Sequence, residues 1–174
     1  MYKTHSDENN SQIFESKIQT KKVDNIIVFF HKRDQLPTLN LPDKHLILIY
    51  NESKDIMDGD IQMNFFCKSI SFVSQDTWLD ILNHKKKIIV DDKTSFSTEI
   101  FTSTIRHLSE NMQDCIQAAS ISLELELIPK DKEVLVMSGT GRYLDTLVLI
   151  EPAPLSKIHL SKIKEVLCEP ETVL

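Results

Sequence analysis

One stretch, residues 133–150, constrains the fold more than any other part of this sequence. It reads EVLVMSGTGRYLDTLVLI, in which two short apolar runs rich in β-branched residues flank a polar segment that contains glycine. Continuous apolar runs of this length are typical of strands buried on both faces of a sheet. We therefore predict an antiparallel hairpin, in which the strand at residues 145–150 lies beside the strand at residues 134–137.

The turn of this hairpin, Ser138-Gly139-Thr140-Gly141, holds two of the three glycines of the chain. It is not a dinucleotide fingerprint, because the third glycine position is Leu144 and the next run has strand composition rather than helical spacing. Two interpretations remain. Either successive backbone N–H groups form a nest for an anion, with Arg142 adding a charged fork, or the glycines only form the turn. In either case Asp145 is expected to fix the turn by accepting backbone hydrogen bonds, and not to contact a phosphate, which it would repel.

Four short motifs follow one another between residues 105 and 170. They are Leu-Ile-Pro at residues 127–129, Gly-Thr-Gly at 139–141, Asp-Thr at 145–146 and Pro-Ala at 152–153. In their order and spacing, this segment resembles the stand-alone pyruvate kinase C-terminal-domain-like family, over a little over a third of the chain. The resemblance implies a three-layer α/β/α fold with a mostly parallel mixed sheet, in which one hairpin strand runs antiparallel to the rest.

The resemblance also implies a function. In pyruvate kinase the comparable domain holds an allosteric site for phosphorylated effectors and no catalytic chemistry, and some stand-alone relatives hold flavin mononucleotide (FMN). It thus implies a non-catalytic ligand-binding or regulatory domain for a phosphorylated metabolite or FMN. The ligand-binding residues so implied in the hairpin turn are Ser138, Gly139, Thr140, Gly141 and Arg142.

The N-terminal half departs from the family pattern. Relatives have small residues and glycine after the first strand, where this chain has His31-Lys32-Arg33-Asp34, and a longer glycine-rich segment where this chain has residues 93–97. Because strand ends in open α/β sheets face the ligand crevice, we expect Lys32 and Arg33 at the rim of any pocket. The same departures support an alternative, a structural or interaction scaffold, as a homo-oligomer, whose ligand pocket has decayed.

An enzyme ranks third among the interpretations. The 174 residues cannot hold a (β/α)8 barrel of about 250 residues besides this domain, and no spacing typical of a catalytic triad is found, so no catalytic residue is predicted. Cys67, Cys115 and Cys168 form no CxxC pair, which favours reduced thiols in a cytoplasmic protein over a zinc site. The acidic residues between 55 and 60 lack the order of a calcium loop, so no metal is predicted.

The composition argues against some classes of binding partner. The net charge of −6 argues against binding to nucleic acid or acidic membranes, and apolar runs of about six residues are far shorter than the roughly 20 that span a bilayer. The N-terminus lacks the apolar segment of a secretory signal. The length predicts one domain over residues 1–174, with residues 1–11 as a mobile tail.

Further elements follow from apolar periodicity and capping residues. Strands are predicted at residues 25–30, 45–50, 69–73 and 163–168, the last as an edge strand. Helices are predicted at residues 12–21, at 75–83 with Ser74 as N-cap, and at 115–127. Pro37 and Pro42 predict an irregular crossover between the first two strands, pinned to the sheet by Leu36, Leu39 and Leu41.

Overall fold

A computed structural model describes residues 5–31, 36–50, 65–74, 76–77, 80–81, 109–139 and 143–169, with the backbone alone for residues 5–10. The acidic loop at residues 55–60 and the segment at residues 93–97 lie outside these ranges. In chain order, the elements are α1 (His5–Gln19), β1 (Asn25–Phe30), β2 (Leu39–Tyr50), β3 (Phe65–Val73), α2 (Glu110–Glu124), β4 (Val134–Ser138), β5 (Thr146–Glu151), a 3-10 helix (Leu155–Leu160) and β6 (Lys162–Cys168).

The six strands form one mixed sheet in the order β3-β2-β1-β4-β5-β6. Strands β3, β2, β1 and β4 are parallel to one another, whereas β5 runs antiparallel to both of its neighbours, β4 and β6. In the hairpin, Val134 lies opposite Ile150 and Ser138 lies opposite Thr146. This arrangement confirms the predicted α/β fold and its antiparallel hairpin, and β6 occupies the predicted edge.

Helices cover both faces of the sheet, which makes the architecture three-layered. On one face, Phe14 and Ile18 of α1 are buried against alternate strand residues such as Val28. On the other face, α2 and the 3-10 helix pack against the remaining positions, such as Ile27. Because β1 is covered on both sides, its apolar run is continuous rather than alternating. Truncation of a side chain such as Ile27, which is fully buried, should cost about 2–5 kcal/mol.

Strand β2 is longer than predicted. It begins at Leu39, and its pairing with β3 shifts between Leu41 and His45, where Cys67 and then Ser69 are the partners on β3. Pro42, which has no N–H to donate, lies within this irregularity, where a ladder tolerates it. The prediction of an irregular crossover through residue 44 was therefore wrong, and Leu39 and Leu41 are buried strand residues.

The helix ends also differ from the predictions. Helix α1 spans His5–Gln19 rather than residues 12–21, and its apolar residue Ile13 is exposed. Helix α2 ends at Glu124, because Glu126 takes a left-handed conformation (φ 56°) and Leu127 N–H donates to Ser122 O at 3.0 Å. This Schellman motif ends the helix before Pro129 is reached. The prediction for Ser74 is confirmed, since its Oγ accepts from Thr77 N at 3.4 Å.

Candidate functional site

The sheet has a topological switch point between β1 and β4. These strands are parallel neighbours, with Val28 opposite Met137, so the chain leaves both of them at the same end of the sheet. After β1 it continues to β2 on one side, and after β4 it continues to β5 on the other. At such a divergence, α/β folds commonly bind ligands at the carboxyl ends of the strands. We call this end of the sheet the carboxyl-end crevice; His31, residues 109–114, Ser138, Gly139 and residues 143–146 lie there.

Two of the predicted ligand-binding residues are described at this crevice. Ser138 is the last residue of β4, Gly139 follows it, and both are buried. The others, Thr140, Gly141, Arg142, Lys32 and Arg33, lie outside the described residues. Their two segments start from the adjacent ends of β4 and β1, but the contacts of these five residues stay predictions.

Gly139 is explained by the packing of the chain itself. A Cβ atom built on Gly139 would lie 2.3 Å from the carbonyl oxygen of Tyr143 and 2.9 Å from Cα of Leu144. Both contacts are with backbone, so no side chain could rotate away to make room. At this position the turn alone requires glycine, which is the second of the two interpretations drawn from the sequence. This contact does not bear on the other interpretation, the anion nest, because the nest depends on residues 140–142.

Asp145 ties the hairpin to α2. Its Oδ1 accepts hydrogen bonds from Asn111 Nδ2 at 2.8 Å and from Thr146 Oγ1 at 3.0 Å, while its backbone N–H donates to Ser138 O at 3.2 Å. Burial raises the pKa of Asp145, opposed by the hydrogen bonds from Thr146 and from its own N–H. The expectation that Asp145 accepts backbone hydrogen bonds is met only by its own N–H, since the other two donors are the side chains of Asn111 and Thr146.

His31 adds a cation to the crevice that sequence reasoning did not identify. Its Nε2 lies 3.0 Å from Asp114 Oδ2, and its ring meets Phe29 edge-on with centroids 5.2 Å apart. The hydrogen bond with Asp114 raises the pKa of His31, against the opposing effect of burial. The two residues are 83 positions apart in sequence. Only the placement of α2 beside the end of β1 brings them together, so no local pattern could have revealed the pair.

The electrostatics of the crevice are mixed. The amino end of α2 lies there, capped by Ser109 Oγ, which accepts from Met112 N at 3.2 Å, and a helix amino end favours negative charge. Glu110, Asp114 and Asp145 place three carboxyl groups in the same region. The charge balance that a ligand would meet therefore depends on His31 and on the predicted cations of the two loops.

Two buried polar atoms at this end have no hydrogen-bond partner within the part of the chain that the structure describes. They are Ser138 Oγ and Asn111 Oδ1, on residues that are 0% and 5% exposed. Ser138 lies opposite Thr146, to which Asn111 Nδ2 donates at 3.0 Å. Both atoms thus belong to one polar corner beneath the turn. Buried polar atoms of this kind cost stability unless a water or another polar group satisfies them.

A second concave site lies at the opposite end of the sheet. It is an open groove of about 1010 Å³, here called the amino-end groove. Its lining comes from the amino end of β1, from the residues of β2 and β3 that lie level with it, from the end of α2 with the turn after it, and from the start of the 3-10 helix. The residues are Asp24, Asn25, His45, Ile47, Ser69, Ser71, Leu123, Glu124, Glu126, Leu127, Ile128, Pro129, Lys130, Pro154 and Ser156. The sequence analysis placed no site here.

Comparison of the chain with protein-family models found no match. Among the residues that the structure describes, no helix is long and apolar enough to cross a membrane. The same part of the chain contains no group of three or more His, Cys, Asp or Glu side chains arranged to hold a metal ion. The three cysteines are free thiols, and Cys115 is fully buried.

Proposed function

We propose that this protein is a non-catalytic ligand-binding or regulatory domain, similar to the pyruvate kinase C-terminal domain, that binds a phosphorylated small molecule at the carboxyl-end crevice. FMN is one such molecule. The observation that carries the proposal is the switch point between β1 and β4. It sets the end of β1, before Lys32 and Arg33, beside the end of β4, before Thr140 to Arg142.

Three further features support an anionic ligand. The amino end of α2 contributes the partial positive charge of a helix terminus. The raised pKa of His31 keeps more of its imidazole protonated near neutral pH. Hydrogen bonds to charged groups contribute roughly 1.5–3 kcal/mol each, so two or three of them from the loops would hold a phosphate.

The described side chains of the crevice support a binding role rather than a chemical one. Asp114 pairs with His31, and Asp145 accepts from Asn111 and Thr146. These contacts join α2 to β1 and β5, so the groups form a rigid frame under the two loops. In this proposal the frame fixes the positions at which the loops after β1 and β4 begin, and the loops themselves contact the ligand.

The alternative is a structural or interaction scaffold whose pocket has decayed. Two observations favour it. Gly139 is explained by its contact with Tyr143, without a ligand. The carboxyl groups of Glu110, Asp114 and Asp145 lie where a phosphate would be repelled. A scaffold requires the frame but not the cationic residues of the loops. Substitutions of those residues should therefore impair a ligand-binding domain but not a scaffold.

The test combines mass spectrometry with calorimetry. Mass spectrometry of freshly purified, denatured protein should detect a co-purified phosphorylated compound, and an FMN ligand would also give a flavin absorbance. Titration with FMN and with inorganic phosphate should show about tenfold weaker binding for Arg142→Ala, the loss of one charged hydrogen bond, and no binding for Gly141→Val. Lys132→Ala, which removes an exposed cation elsewhere, is the control. No co-purified compound, with equal affinity for wild type and all variants, would instead support the scaffold.

A further inference from the structure

The amino-end groove has a polar floor and an apolar wall. On the floor, His45 Nδ1 and Ser69 Oγ are 2.5 Å apart across β2 and β3, and Asn25 and Ser71 complete the polar surface. The wall comes from the turn after α2, which contributes Leu127, Ile128 and Pro129, among others. The site can therefore accept a molecule that carries both hydrogen-bonding and apolar parts.

The charge of the groove is negative. Asp24, Glu124 and Glu126 line it, against one lysine, Lys130. The carboxyl end of α2 lies at the same place, and its last turn has no basic residue. A helix carboxyl end is equivalent to about half a negative charge and favours cations. Among the lining residues named above, Lys130 is the one lysine that could supply this positive charge.

Glu126 places an exposed carboxylate in the groove, at the negative end of α2. It holds a left-handed backbone (φ 56°) at the helix-ending position where glycine is favoured, and it adds a carboxylate to the negative end of α2. Its side chain is exposed, and the described part of the chain gives it no hydrogen bond or ion pair. By contrast, Glu124 Oε1 accepts from Leu155 N at 3.1 Å and so has a structural role. The backbone of Glu126 belongs to the Schellman motif that ends α2, whereas its carboxylate is left available to a ligand.

We propose that the amino-end groove binds a small organic ammonium ion, a protonated primary amine on a short apolar chain. The ammonium group lies against the carboxylates of Glu126 and Asp24. The apolar chain runs along the wall formed by Leu127 and Pro129. A volume of about 1010 Å³ is at the upper end of the range for small-molecule sites, roughly 300–1,000 Å³. This site is separate from the carboxyl-end crevice and does not depend on the function proposed for it.

The test is an NMR titration of the full chain with n-hexylammonium, n-hexanol and hexanoate, which share the apolar chain and differ in charge. Only n-hexylammonium should give saturable backbone amide shifts, clustered at Glu126, Leu127, His45 and Ser69. Glu126→Gln should weaken its binding about fivefold, the effect of a partly exposed charge pair. Asp131→Asn is the matched control, since Asp131 is also exposed and left-handed (φ 59°) but does not line the groove.

Asp24→Asn provides a second variant, so that the result does not depend on the turn at Glu126. It should also weaken n-hexylammonium binding, with amide shifts in α1 and β6 unchanged from wild type. Three outcomes would overturn the proposal. They are the absence of saturable shifts, equal binding of the alcohol or the carboxylate, and equal affinity of wild type and both groove variants.

Discussion

Substitution of Gly139 by alanine tests the close packing at the end of β4. The new Cβ would lie 2.3 Å from Tyr143 O and 2.9 Å from Leu144 Cα. A Cβ atom does not come closer than about 3 Å to other heavy atoms, so the backbone of residues 143–144 must move. That movement disturbs Leu144, which is 2% exposed and belongs to the core that α1 covers.

The expected magnitude follows from this geometry. Overpacking usually costs about 1–3 kcal/mol, and the opposing atoms here are backbone, so we expect about 2–3 kcal/mol. For a chain of this size, 1 kcal/mol shifts Tm by roughly 2–4 °C, which gives a decrease of about 4–12 °C. Urea unfolding followed by circular dichroism gives the free energy of unfolding, and a thermal scan gives Tm.

Ser138→Ala is the control at the neighbouring position. The Ser138 hydroxyl is buried without a partner, and removal of such a group should leave stability within about 0.5 kcal/mol of wild type or raise it. If Gly139→Ala unfolded at the wild-type urea concentration, the turn would not be held against the strand end, and the structural explanation of this glycine would be wrong.

Three further predictions concern single residues. Glu126→Gly should stabilise the protein by about 0.5–1 kcal/mol, because relief of the left-handed backbone exceeds the entropy cost of glycine; a lower urea midpoint would contradict this. The pair of His31 and Asp114 should stabilise fully below pH 6.5, the ordinary pKa of histidine, and lose this effect as pH rises through the raised folded pKa. Asp114→Asn should therefore cost more at pH 5.5 than at pH 8.5, by about 1 kcal/mol, and a pH-independent cost would refute the pairing. Burial raises the pKa of Cys115 well above its usual range, so a thiol reagent should label Cys67 in the native state and Cys115 only after unfolding; equal labelling rates would oppose this assignment.

The hairpin and the first strand were predictable because their signals are local. The run NIIVFF coincides with β1, and the two apolar runs around the glycine turn pair in the predicted antiparallel manner. Each run is buried on both faces, so hydrophobicity alone defines it. The same reasoning failed for the start of β2, where Pro42 argues against a strand unless the irregular pairing with β3 is known.

The candidate sites depend on contacts that are distant in sequence. His31 meets Asp114, and Asn111 meets Asp145, only because α2 packs across the ends of β1 and β5. The amino-end groove likewise combines residues from five separate stretches of chain. The one part of it that could be predicted locally was the end of α2, which was predicted at residue 127 and lies at Glu124. Glutamate rarely adopts a left-handed conformation, so the turn at Glu126 could not be predicted from its residue type.

The most direct test of the proposed function is an NMR titration of the uniformly labelled full chain with FMN and with inorganic phosphate. We expect saturable amide shifts at residues 31–33, 109–112 and 138–142, because this set includes the described residues of the carboxyl-end crevice and the segments that follow β1 and β4, with smaller shifts elsewhere. Both ligands should shift residues 138–142, because they share the phosphate group. Saturable shifts confined to other regions, or no saturable shifts with either ligand, would contradict the proposal that this crevice binds phosphorylated molecules.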